Sequence, residues 1–231
     1  MRSKILTSRS EGFSLVELTI AMTITLVVMG IASTMLANAF HARARENQKS
    51  DALADAQRAL NIISREIANA GFNLSSNGII DADSGITSIR IRSNLNKFDT
   101  NANADSRNNV RDPGEDIKYS ITEAENTTYL ARYDEYANTV PEQKTVLANR
   151  IDSFNIHYFD QRVTYTANTG DTDISNKSVP EVAPSAAKYI VIALSVTLNQ
   201  VGTEGEPGFQ RAFRTLLVSD ITLRNSDLSV Y

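Results

Sequence analysis

The sequence predicts an α+β protein in which one long N-terminal helix, its first half able to cross a membrane, packs on a mostly antiparallel β-sheet head. Three observations carry this prediction. Residues Phe13 to Phe40 form an almost unbroken apolar run. Beyond it, apolar residues recur at helical spacing as far as Gly71. After Gly71 the pattern changes to short alternating runs separated by polar loops. The period of hydrophobicity switches from that of a helix to that of a strand.

The first element is the 28-residue run from Phe13 to Phe40, whose single ionisable side chain is Glu17. A helix needs roughly 20 apolar residues to cross a hydrocarbon core of about 30 Å. A carboxylate inside such a span costs about 2.5–3.5 kcal/mol on insertion scales, so its presence requires a reason. An ordinary secretory signal does not supply one. Ala37-Asn38-Ala39 offers a small-x-small cleavage pattern, but the apolar region from Phe13 to Leu36 is 24 residues long and includes the carboxylate. Secretory apolar regions run to about 7–15 residues. An unprocessed anchor explains the span and leaves Glu17 unexplained.

The leader completes the pattern. Residues 1–12 are short and net basic, with Arg2, Lys4 and Arg9 against Glu11, and end in Gly12. Gly12, Phe13, Glu17 and the apolar run that follows together resemble the cleavage and methylation motif of type IV prepilins. The resemblance implies that a membrane prepilin peptidase cuts after Gly12, that Phe13 becomes the N-methylated N-terminus, and that Glu17 guides assembly. It also implies a leader in the cytoplasm, an inner-membrane helix and a head outside. Charge alone does not orient the span, because Arg43, Arg45 and Lys49 balance the three basic residues before it.

The second half of the helix is amphipathic. Leu53, Ala56, Leu60, Ile63, Ile67 and Ala70 recur at spacings of three and four, with Asp51, Asp55, Arg58, Asn61, Arg65 and Asn69 elsewhere on the circumference. No proline interrupts Phe13 to Gly71. Gly71 suits a left-handed helix-closing position, with Phe72 expected to pack back. The expected organisation is a cleaved leader (1–12), a transmembrane and assembly half-helix (13–40), an amphipathic half-helix (41–72) and a β-rich head (73–231). The segment from Asp55 to Phe72, with Arg65, Glu66, Ala70, Gly71 and Phe72, resembles the helix end of the PilW family of minor pilins. The J-type pseudopilins of type II secretion end their helix similarly. The closing Phe213 to Asn225 also resembles the PilW C-terminus.

The head reads as strands. Ile89 and Ile91 alternate with Arg90 and Arg92; Ile117, Tyr119 and Ile121 form a second set, and Tyr129 to Tyr133 a third. Phe154, Ile156 and Tyr158 face one way, which puts His157 on the opposite, solvent-facing side. Tyr189 to Leu198 is apolar on both faces and reads as a central strand. A turn cluster, Asn199 to Gly208, and a final strand within Phe209 to Leu223 complete a C-terminal hairpin. The polar stretch from Asn168 to Ala187 has no periodicity and reads as an exposed excursion. A second polar loop, Asp99 to Asp116, places oxygen-bearing side chains at Asp99, Asn101, Asn103 and Asp105, the alternate spacing with which a loop wraps calcium. Ala104 and Val110 stand where a calcium loop has its turn glycine and final glutamate. Asp112, Glu115 or Asp116 would have to replace that carboxylate.

Composition narrows the function. Of the 23 basic and 27 acidic residues, three and one lie in residues 1–12, so the remainder carries a charge of −6. That acidity argues against nucleic acid as a partner, since phosphate neutralisation needs clustered Lys and Arg. A basic patch would require Arg90, Arg92, Arg211, Arg214 and Arg224 to share a sheet face. There is no cysteine, and two histidines provide little for a histidine-based metal site. No nucleophile–base pair or phosphate-binding glycine loop is legible, so the chain does not read as an enzyme and no cofactor is required. It reads instead as a structural subunit, a minor pilin in pilus assembly or priming. The partners implied are major and minor pilins, the prepilin peptidase and methyltransferase, and the inner-membrane assembly platform. Alternatives are a type II secretion pseudopilin or a membrane-anchored surface-binding module.

Overall fold

The computed structural model describes residues 13–97, 110–124, 127–137, 143–205 and 208–226. A single helix, α1, runs from Leu15 to Ala68 over 54 residues. At 1.5 Å per residue it is about 81 Å long. Its length and continuity follow from the sequence, in which no Pro and one Gly, Gly30, fall inside it. Among the described residues, seven strands follow in sequence: β1 (Ser88–Arg92), β2 (Asp116–Ala124), β3 (Thr127–Asp134), β4 (Lys144–Asn149), β5 (Ile151–Phe159), β6 (Tyr189–Leu198) and β7 (Phe213–Thr222). They form a four-stranded sheet ordered β1-β2-β3-β4 and a three-stranded sheet ordered β5-β6-β7. Every pairing is antiparallel. The α+β, pilin-like architecture is as predicted, with the head divided between two sheets. Arg150, at φ 61°, is the single residue between β4 and β5 where the chain passes from one sheet to the other.

The amphipathic half of α1 supplies the core. Ala52, Ala56, Ala59, Leu60, Ile63, Ile67 and Ala70 are buried against Ile89, Ile91, Tyr119 and Leu130 of the first sheet and Phe154, Ile156, Ile190, Ile192 and Leu194 of the second. The helix stripe is wider than the spacing predicts, since Ala52 and Ala59 join it while Leu53 is half-buried. Small residues here let the helix backbone approach the strands. Each large apolar side chain fully buried in this way contributes about 1.5–3 kcal/mol.

Strand β6 is the central strand of its sheet and is buried along both faces. Ile190, Ile192 and Leu194 face α1, whereas Tyr189, Val191 and Ala193 belong to a second core with Phe159, Val163 and Ile174. That second core corrects one expectation. The stretch from Asn168 to Ala187 is no free excursion but lies against this outer face, with Ile174 buried and Val179 packed on the cluster. It is held by paired hydrogen bonds between Thr166 and Ser175, at 2.7 and 2.9 Å. An apolar strand face needs a cover, and without periodicity of its own the covering segment gives no strand or helix signal.

Three further differences have local causes. Strand β4 escapes the sequence pattern because its first three residues are exposed and Leu147 and Ala148, adjacent in sequence, are both buried. The helix ends at Ala68 with Asn69 as its C-cap, two residues before the closure expected at Gly71. Gly71, at φ 77°, instead turns the chain towards β1: its N–H donates to Arg92 O at 2.9 Å, and a Cβ there would sit 2.5 Å from Ser76 O. Phe72 is 41% exposed and belongs to neither core cluster.

Candidate membrane and assembly site

The helix begins at Ser14, whose hydroxyl accepts the Val16 N–H at 3.3 Å while its own N–H donates to Glu17 Oε2 at 3.0 Å. This is a reciprocal capping box, in which residues three apart satisfy backbone donors that have no intrahelical partner. The structure therefore gives Glu17 a local partner, the Ser14 amide, which the sequence reasoning missed although Ser14-x-x-Glu17 is the signature of such a cap. A carboxylate at the positive end of the helix dipole is favourably placed as well. Phe13 lies beside it and is 86% exposed. Gly12 lies outside the described residues.

From Leu15 to Phe40 the apolar side chains make no core. Leu15, Val16, Ile20, Ile24, Leu26, Met29 and Leu36 are all more than half exposed. The stretch is apolar around its whole circumference, so no single face accounts for it. Its polar groups are also turned inward on the helix. The hydroxyls of Thr19, Thr23, Thr25, Ser33 and Thr34 donate to the carbonyls of Val16, Thr19, Ala21, Met29 and Ile31 at 2.7–2.9 Å. Bonds to a carbonyl three or four residues back leave no hydroxyl in need of water. This half of α1 is long and apolar enough to cross a membrane. Its surface is suited to lipid or to the apolar helices of other subunits.

The other sequence-derived candidates are placed as follows. Asp99, Asn101, Asn103 and Asp105, the calcium candidates, lie outside the described residues. The carboxylates that would have to complete that site are engaged elsewhere. Glu115 is buried and accepts the N–H groups of Leu95 at 2.7 Å and Asp112 at 3.0 Å. Asp112 in turn accepts from Asn96. Asp116 is fully buried between Arg90 Nε at 2.6 Å and Arg92 Nε at 2.7 Å. Among the described residues, no group of three or more His, Cys, Asp and Glu side chains is arranged to hold a metal ion.

His157 is not on a solvent-facing surface but only 3% exposed. Its Nδ1 lies 2.8 Å from Glu181 Oε1 and its Nε2 2.7 Å from Asp173 Oδ1, with Lys177 bound to Glu181 at 2.5 Å. Strand alternation placed the ring on the outer face correctly; the covering segment then buried it. Burial raises the Glu181 carboxyl pKa, but hydrogen bonds from Lys177 and His157 outweigh it and leave the pKa lowered. The arginines do not form a common patch either. Arg90 and Arg92 belong to β1 and pair with Asp116, whereas Arg214 belongs to β7 in the other sheet and pairs with Asp152 at 2.8 Å.

Comparison with known families agrees with this geometry. Residues 7–33 match the prokaryotic N-terminal methylation motif. Comparisons with curated proteins and with solved structures found no match. The motif and the long helix docked on antiparallel sheets together support a type IV pilin-like or pseudopilin-like protein.

Proposed function

We propose that this chain is a minor pilin, of the PilW kind, that takes part in assembling or priming a type IV pilus as a structural subunit. The observation that carries the reading is the half-helix from Phe13 to Phe40, exposed on every side and with Glu17, near its start, as its single ionisable residue. A surface of this kind is stable in a membrane before assembly and between the helices of a filament afterwards. The peptidase cuts after Gly12 and the methyltransferase modifies the amine of Phe13. The head then stands outside the cytoplasm, and major and minor pilins receive the helix at the inner-membrane assembly platform. No catalytic role is assigned to the head.

Glu17 is the residue on which assembly turns. Before cleavage Phe13 has a peptide nitrogen; afterwards it has a charged amine. In apolar surroundings the attraction between that amine and a carboxylate is several-fold larger than in water, and either ion left unpaired costs several kcal/mol. A subunit entering the filament pairs its Glu17 with the amine of a neighbour, which sets the axial register.

The N-terminal peptide of protein purified from membranes tests the reading directly. Mass spectrometry should find N-methyl-Phe13 at the terminus. A terminus at Phe40 would show signal-peptidase cleavage and refute the pilin assignment. Gly12→Arg should accumulate an uncut, membrane-held precursor.

A further inference from the structure

Arg45 differs from the other inward-facing arginines of the head. Arg90 and Arg92 meet Asp116, and Arg132 meets Glu66 at 3.1 Å. Arg45 is 7% exposed, yet no carboxylate among the described residues pairs with it. Its Nη2 donates to the carbonyls of Leu198, Asn199 and Arg211, at 3.1, 2.6 and 3.3 Å. Its Nε–H is buried and meets no acceptor. Carbonyls orient a guanidinium but do not neutralise it, and an uncompensated buried charge is strongly unfavourable.

A cavity of about 480 Å³ opens beside this side chain. The residues of its wall that carry side-chain donors are Arg45, Gln48, Thr128, Arg150, Thr197 and Gln200. Asp152 also lines it, but that carboxylate is held by Arg214 at 2.8 Å. Two arginines thus line the cavity, and its one acid is already paired. Its chemistry suits a singly charged oxyanion, which two arginines and neutral donors can surround.

Its place along the helix selects the source of that anion. The 28 residues from Phe13 to Phe40 span about 42 Å, close to the 40–45 Å of a bilayer with its headgroups. Arg45 follows within about 8 Å, and helix side chains lean back towards the N-terminus, here towards the membrane. Gln210, near the end of the β6–β7 connection, donates to His41 O at 3.1 Å, which holds that connection at the same level. We propose that this cavity receives the phosphodiester of a lipid headgroup, fastening the head to the membrane surface where α1 leaves it. The proposal rests on the membrane-anchored reading given above.

The test uses the full chain in a neutral detergent, with thermal unfolding followed at matched ionic strength. The probes are dihexanoyl phosphatidylglycerol below its micelle-forming concentration, and inorganic phosphate. The lipid at saturating concentration should raise the Tm of the wild-type chain by several degrees through ligand linkage. The shift should disappear in Arg150→Asn, which removes a cavity cation and keeps a residue tolerant of the left-handed backbone. Arg45→Gln should lose it too, but it also loses carbonyl contacts, so Arg150→Asn is the deciding variant. No shift with either probe, or a shift retained in Arg150→Asn, would overturn the site. An equal shift with inorganic phosphate would overturn the lipid assignment. Flotation of the same protein with phosphatidylcholine vesicles reports the anchor separately: a chain that floats but shows no shift keeps its anchor and lacks this site.

Discussion

The hydroxyl of Tyr119 donates to the carboxylate of Glu66, joining the long helix to the four-stranded sheet through a partly buried hydrogen bond. Arg132 closes the group from the next strand, its Nε 3.1 Å from the same Glu66 oxygen. Burial, and then the charge of Glu66 and its hydrogen bond, push the Tyr119 pKa well above the usual tyrosine range, so the phenol remains a donor at any physiological pH. Glu66 is the acidic member of the Arg65–Glu66 pair near the helix end, and the structure assigns it a task. It ties down the last turns of α1 before the chain turns at Gly71.

Glu66→Ala should therefore destabilise the head by about 2–3 kcal/mol, because it leaves a buried hydroxyl and a half-buried guanidinium without their acceptor. Tyr119→Phe removes one donor and keeps the ion pair, and should cost about 1 kcal/mol. Thermal unfolding of the full chain in mild detergent measures both. Equal losses in the two variants would show that the ion pair with Arg132 contributes nothing.

Glu17 caps its own helix, and under the proposed function it has a second, separable task, meeting a neighbour's amine. Glutamine can take the capping-box position but carries no charge. Glu17→Gln should thus keep the helix start, as Glu17→Val should not. Both should be inserted and cut, and both should fail to enter filaments or to co-purify with the other pilins. Glu17→Asp, one methylene shorter, should be partly active. Filament entry by Glu17→Gln at the wild-type level would reduce the residue to a helix cap.

Asp116 makes the head sensitive to acid. Burial raises its carboxyl pKa, but hydrogen bonds and charges from Arg90 and Arg92 outweigh this, and its pKa in the folded state is lowered below 3.8. A carboxylate of this kind contributes its full stability above the unfolded-state pKa, and the contribution is lost as pH falls through the folded-state value. The Tm should decline as pH is lowered below about 4. Asp116→Asn should be less stable at neutral pH by about 3–5 kcal/mol, since two arginines lose their counter-ion. Its remaining stability should fall less steeply with acid. A wild-type slope in that variant would place the acid sensitivity elsewhere.

His157 fastens the covering segment to the second sheet through Glu181 and Asp173. Removing the ring in His157→Ala leaves both carboxylates without that partner, at a cost of about 2–4 kcal/mol to the local structure. Limited proteolysis should then cut between residues 160 and 187 under conditions in which the wild-type chain resists. An unchanged cleavage pattern would show that the apolar contacts of Ile174 and Val179 suffice.

How these features divide between sequence and tertiary structure follows from the range of the forces involved. The uninterrupted apolar run to Phe40, the three-four spacing through Ile63 and Ile67 and the alternation at Ile89 and Ile91 are local repeats, and local repeats dictate element type. They determined the helix, its membrane-suited half and the strand character of the head. Even the double-sided apolar character of Tyr189 to Leu198 determined that β6 would be central, though not what would cover its second face. That cover, the burial of His157, the pairing of Asp116 with Arg90 and Arg92 and the contacts of Arg45 with the β6–β7 connection all join separate segments of the chain. Such contacts depend on how two sheets are placed against one helix, and no periodicity encodes that placement. Tertiary structure decided them because a side chain's partner, unlike its face, is set by whichever distant segment packs against it.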